Sequence, residues 1–168
     1  IEDRNGNVVN ITAAGIVHNA GLSVSFTRDA QGRITRITDP MGRTLDYGYD
    51  GNGDLVSFKD QLQNETTFTY LSQPAHHLED IINALGVRGI RNEYDENGRL
   101  VASIDAHGQR IEMDHDLVGR QDVVRNRLGE PTELHYDERG NVTLQWKFVT
   151  VAGVLTPVET VRTYDADD

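Results

Sequence analysis

The sequence contains no cysteine, and only 4 prolines, 2 methionines and 1 tryptophan in 168 residues. Without cysteine there is neither a disulfide framework nor thiol chemistry. Secretion stays open, because a long repetitive sheet can be held by strand pairing alone. Basic residues are also scarce: 16 Lys and Arg stand against 27 Asp and Glu, a net charge of −11. So acidic a chain lacks the basic stripe that contacts to a phosphate backbone require, and nucleic acid is not an expected partner. The charge reads as a solvated surface. No apolar run approaches the ~20 residues of a membrane helix, and no signal-peptide pattern is present. Nor is there a sustained helical period. Residues 77–85 form the one run worth checking, and their place in the register argues strand or loop.

What is abundant is glycine, 16 residues, and much of it recurs at fixed spacing. Asp-x-x-Gly begins at Asp29, Asp50, Asp95, Asp116 and Asp137, in steps of 21, 45, 21 and 21 residues. The last four copies place Gly53, Gly98, Gly119 and Gly140 at the fourth position. A second series follows about ten residues later in each unit. It comprises Asp39-Pro40-Met41-Gly42, Asp60-Gln61-Leu62-Gln63, Asn83-Ala84-Leu85-Gly86, Asp105-Ala106-His107-Gly108 and Asn126-Arg127-Leu128-Gly129. Asp or Asn at the first position can hydrogen-bond to backbone N–H groups two residues on. Glycine at the fourth accepts a positive φ. Asn52-Gly53 and Asn97-Gly98 are hairpin signals, and Asp39-Pro40 fits a type I turn.

Between the turns the residues alternate. Leu45, Tyr47 and Tyr49 are expected on one face, as are Phe68 with Tyr70, Ile90 with Asn92 and Tyr94, and Ile111 with Met113 and His115. Leu100, Ala102 and Ile104 are expected to line up on a return strand. Period two with one apolar face describes half-buried antiparallel strands. Tyr49, Tyr70, Tyr94 and Tyr136 recur just before a turn, and His115 takes that place once. They read as a packing stripe, with cross-strand pairs contributing roughly 0.2–1 kcal/mol each.

At these residues the chain resembles the RHS/YD-repeat family. Tyr94-Asp95-Glu96-Asn97-Gly98-Arg99-Leu100 and Tyr136-Asp137-Glu138-Arg139-Gly140-Asn141-Val142 look like its YD repeat, and Thr38-Asp39-Pro40-Met41-Gly42-Arg43-Thr44 resembles its second arm. Related repeats occur in bacterial polymorphic toxins, insecticidal Tc-toxin shells and animal teneurins. The likeness implies a hairpin strip that winds into a hollow shell able to enclose a toxin. It covers residues 26–142 best. Residues 8–25 are looser, 71–78 replace the YD turn with a Pro-containing one, and 143–164 read as a longer hairpin turning near Ala152-Gly153. The first residues resemble the middle of a repeat and Tyr164-Asp165 the start of another, so the sequence is expected to be a piece of a longer chain.

Candidate chemistry is thin. Asp50-Gly51-Asn52-Gly53-Asp54 imitates the first half of a calcium loop, but Leu55 and Gln61 stand where an EF-hand needs Gly and Glu. His76 and His77 would point to opposite faces of a strand. The family's shells carry a self-cleavage site with Asp-Pro at its core; Asp39-Pro40 sits in register as an ordinary turn. Three sequons, at Asn10, Asn64 and Asn141, matter only in a eukaryotic secretory host.

The reading is therefore an all-β protein without significant helix: a single run of repeats over 1–168, about fourteen strands, each stabilised by its neighbours. No catalytic residue, cofactor or metal site is expected. The expected role is structural, as part of a secreted or cell-surface bacterial shell around a toxin; the alternative is an adhesion module for carbohydrate or protein. Expected partners are neighbouring repeats and a cargo or receptor, with edge-to-edge self-association of the isolated piece.

Overall fold

The computed structural model describes residues 1–165. They form antiparallel strands and no helix, in two compact units. The N-terminal unit, Ile1–Val87, holds β1 (Val9–Thr12), β2 (Gly15–His18), β3 (Ser23–Arg28), β4 (Ile34–Thr38), β5 (Thr44–Tyr49), β6 (Leu55–Lys59), β7 (Glu65–Tyr70) and β8 (Leu78–Ile82). The C-terminal unit begins at Arg88. It holds β9 (Arg88–Tyr94), β10 (Leu100–Asp105), β11 (Arg110–Asp116), β12 (Gln121–Arg125), β13 (Pro131–Tyr136), β14 (Val142–Val151) and β15 (Val154–Val161). Within each unit every strand pairs with the next in sequence. The stretch 77–85 is strand followed by turn, in line with its register.

Each bend is written by its first residue. At Asp29 the carboxylate accepts from the N–H groups of Gln31 and Arg33, at 3.0 and 2.9 Å. The Gly32 N–H donates to the Asp29 carbonyl, and the Asp29 N–H to the Arg33 carbonyl. Asp39, Asp50, Asp60, Asn83, Asp95, Asp105, Asn126 and Asp137 repeat the same set. The fourth position must adopt a left-handed conformation, as Gly108 does at φ 79°. Gln63 does so at φ 65° without glycine's freedom.

The faces of each unit follow from register. On one side of the N-terminal unit Thr27, Arg36, Asp46, Lys59 and Glu65 oppose one another in a row. Their charges alternate, with Arg36–Asp46 at 2.5 Å and Lys59–Glu65 at 3.8 Å. The other side carries Phe26, Ile37 and Leu45 in one row, Tyr47 opposite Phe58, and Phe68 opposite Ile81. Neither unit encloses a core: among the described residues Ala102 is the one buried apolar side chain. It lies between Glu93 and Glu112 of the flanking strands, whose long side chains can cover a small neighbour.

Two expectations are corrected. A bulge at the start of β10 sets Leu100 opposite Tyr94 but Ala102 opposite Glu93. Glu93 and Tyr94 are consecutive in an extended strand and face opposite ways, so Leu100, Ala102 and Ile104 do not form one stripe. At Asp116 the turn is one residue longer. Arg120 takes the positive φ, 51°, and Gly119 does not. Glycine is needed at 119 for another reason: a Cβ there would stand 2.3 Å from the Asp116 carboxylate, which accepts from Val118 and Gly119 N–H groups.

The glycines separate backbone strain from collision. A Cβ at Gly108 meets open space, whereas one at Gly15 would lie 2.1 Å from the Val24 carbonyl oxygen. Gly108→Ala is expected to cost about 1 kcal/mol in urea unfolding, and Gln63→Gly to stabilise by about the same amount. Gly15→Ala is expected to cost more than Gly108→Ala, because β3 must move. Equal losses at Gly15 and Gly108 would contradict this assignment.

Candidate functional site

The repeated residues are brought together along one line of each unit. Several residues that stand just before a first-series turn reach back to the preceding hairpin. Tyr49 donates its hydroxyl to the Ile34 carbonyl at 3.0 Å, and Tyr70 donates to the Leu55 carbonyl at 2.9 Å. Each spans fifteen residues, and each acceptor opens a return strand. In the C-terminal unit His115 repeats the step, its Nε2 lying 2.8 Å from the Leu100 carbonyl. Tyr164 does the same to Val142 at 3.0 Å, across the longer hairpin that turns at Ala152-Gly153. Tyr136 departs from the rule and donates to the Asp122 carboxylate at 2.9 Å. Tyr94 is half-buried and pairs with Leu100. These bonds join hairpin to hairpin, where the turn bonds close each hairpin on itself.

The turn residues themselves are committed. Asp50, Asp95, Asp105 and Asp137 spend one carboxylate oxygen on two backbone N–H groups apiece. At Asp95, Asp105 and Asp137 those N–H groups, led by that of the fourth residue on, hold the carboxyl below its usual range. In the calcium-like segment the Asp50 oxygen is turned inward to this work, and Asp54 meets His76 Nδ1 at 2.8 Å. His77 instead faces the Ala75 carbonyl. Among the described residues no group of three or more His, Asp or Glu is arranged to hold a metal ion. An open trough of about 450 Å³ crosses the charged face of the N-terminal unit, lined by Arg36, Asp46, Gly48, Ser57 and Lys59. Its charges are paired with one another, and it offers no convergent set to a reacting atom.

A turn in the looser N-terminal stretch escaped sequence reading. At His18-Asn19-Ala20-Gly21 the imidazole Nδ1 accepts from the Ala20 N–H at 3.0 Å, while the Gly21 N–H donates to the His18 carbonyl. Histidine here does the work of aspartate. The signal was the glycine three places on, inside a stretch that otherwise looked irregular.

An antiparallel strip with a fixed bend, a fixed reach between hairpins and no enclosed core defines a β-hairpin repeat protein. The RHS Repeat family model matches residues 3–44 and 28–60 of this chain. It is also 28% identical over 165 residues to the double-stranded DNA deaminase toxin A of Burkholderia cenocepacia (strain H111). That match covers 80% of the chain and 11% of the toxin, so the chain spans about a tenth of that protein's length.

The depressed turn carboxylates set an acid limit on the fold. A group whose folded pKa lies below its unfolded value adds stability above the unfolded value and loses it as pH falls through the folded one. Circular dichroism is expected to show a cooperative loss of strand signal below about pH 4, shifted to lower pH in Asp95→Asn, whose amide oxygen accepts without titrating. An unchanged midpoint in that variant would remove Asp95 from the account.

Proposed function

We propose that these repeats form part of a wall that encloses or presents a secreted toxin, with its cargo housed by the longer protein to which they belong. The observation that carries this reading is the absence of an enclosed core. A sheet stabilised strand by strand, with both faces open, suits a partition better than a catalyst. The similarity to a segment of a bacterial toxin supports the same context. On this reading the chain works outside the cell that makes it, at the surface or in the medium, and its partners are adjoining repeats and the enclosed cargo. The adhesion alternative calls for a large exposed aromatic patch. Trp146, at 37%, is the most exposed aromatic among the described residues, so that alternative gains no support.

Protease protection in the full-length gene product tests the enclosure. The segment beyond the repeats is expected to resist digestion, and to lose that resistance when Asp95, Asp105 and Asp137 are replaced by alanine. Equal digestion of the two proteins would refute an enclosing role while leaving the repeats intact. The outer strands of an excised piece offer unpaired N–H and C=O groups, and we propose that the isolated chain pairs with its own copies through them. Sedimentation is expected to show association rising with concentration; a monomer at every concentration would count against it.

A further inference from the structure

The reach made by His115 differs chemically from those in which a hydroxyl meets a carbonyl. At Tyr49, Tyr70 and Tyr164 a neutral hydroxyl meets a backbone carbonyl. At His115 the Nε2 faces the Leu100 carbonyl at 2.8 Å and the Nδ1 faces Asp122 Oδ1 at 2.9 Å. A carbonyl can only accept, so Nε2 carries a proton. A neutral ring then turns the Nδ1 lone pair toward a carboxylate oxygen. The doubly protonated ring offers an N–H to both acceptors. The second Asp122 oxygen accepts from the Tyr136 hydroxyl at 2.9 Å. The series Leu100 carbonyl, His115, Asp122, Tyr136 thus crosses β10, β11, β12 and β13 in order.

We propose that His115 is a proton-operated clasp, an imidazolium that ties these four strands together and slackens when the ring loses its second proton. The groups that bear on it are the Leu100 carbonyl from β10, the Asp122 carboxylate from β12, with Tyr136 of β13 behind it, and the Arg99 cation at the end of the preceding turn. The Leu100 carbonyl first, and then Asp122, raise the titration of His115 above that of an ordinary histidine, against partial burial and Arg99. A group raised in this way contributes fully below the unfolded value of about 6.5, and its contribution is lost as pH rises through the folded value. Burial, followed by the bond to Asp122, pushes Tyr136 up to about 12, so its hydroxyl stays protonated throughout that window. With side chains 22% and 26% exposed, His115 and Asp122 exchange protons with solvent directly.

The test is an NMR titration of His115 in the whole 168-residue chain, with melting temperature measured from about pH 6 to about pH 9. His115 is expected to titrate above the ordinary histidine value of about 6.5, and the melting temperature to fall across that range. In Asp122→Asn the amide can donate to Nδ1 while its oxygen keeps the Tyr136 bond. The neutral ring is then favoured, and His115 is expected to titrate lower than in the parent. His115→Tyr restores the hydroxyl rung and is expected to flatten the pH dependence of melting. A His115 that titrates at or below the ordinary value of about 6.5 overturns the clasp, as does a His115→Tyr chain that melts in parallel with the parent. Should His115→Tyr fail to fold, the titrations of the parent and of Asp122→Asn decide the matter.

Discussion

A single side-chain oxygen, shared between two backbone N–H groups, sets the bend on which this protein depends. Asp29, Asp95 and their equivalents supply it. Each such bond contributes only about 1 kcal/mol net, yet its position matters more than its size. It fixes the loop length, loop length fixes register, and register decides which side chains share a face. With Ala102 the one buried apolar side chain among the described residues, no core exists to correct a slipped strand. The turns therefore carry a burden that packing bears in most domains.

The second element of order is the reach from one hairpin to the one before. A phenol extends far enough from its strand to meet the opening carbonyl of the previous return strand, and there it ends in a hydrogen bond. Its ring lies half-buried along the way. This explains why tyrosine, and not phenylalanine, stands at Tyr49 and Tyr70. It also explains why histidine is tolerated at His115, since an imidazole presents an N–H to the same kind of acceptor.

Much of this was legible in the sequence because the turn chemistry is local. An Asp or Asn followed three places later by glycine announces its own geometry, and alternation between turns announces the strands. The failures have local causes too. Gly119 looked like another left-handed glycine, but one extra residue passes that conformation to Arg120. Leu100 and Ala102 looked like one stripe because a bulge leaves no mark in the alternation. His18 was not read as a turn former, because imidazole rarely takes aspartate's role. The bond from His115 to Asp122 was out of reach, since it depends on which strand lies beside which.

Pairing within each unit runs only between successive strands. Sheets of this size usually assemble slowly, because distant segments must find one another before any gain is realised. Here each new hairpin needs only the one already in place, so the chain can order itself progressively from either end of a unit. A polypeptide delivered gradually, from a ribosome or through a narrow channel, would acquire its structure as it emerged, without waiting for its far end to arrive.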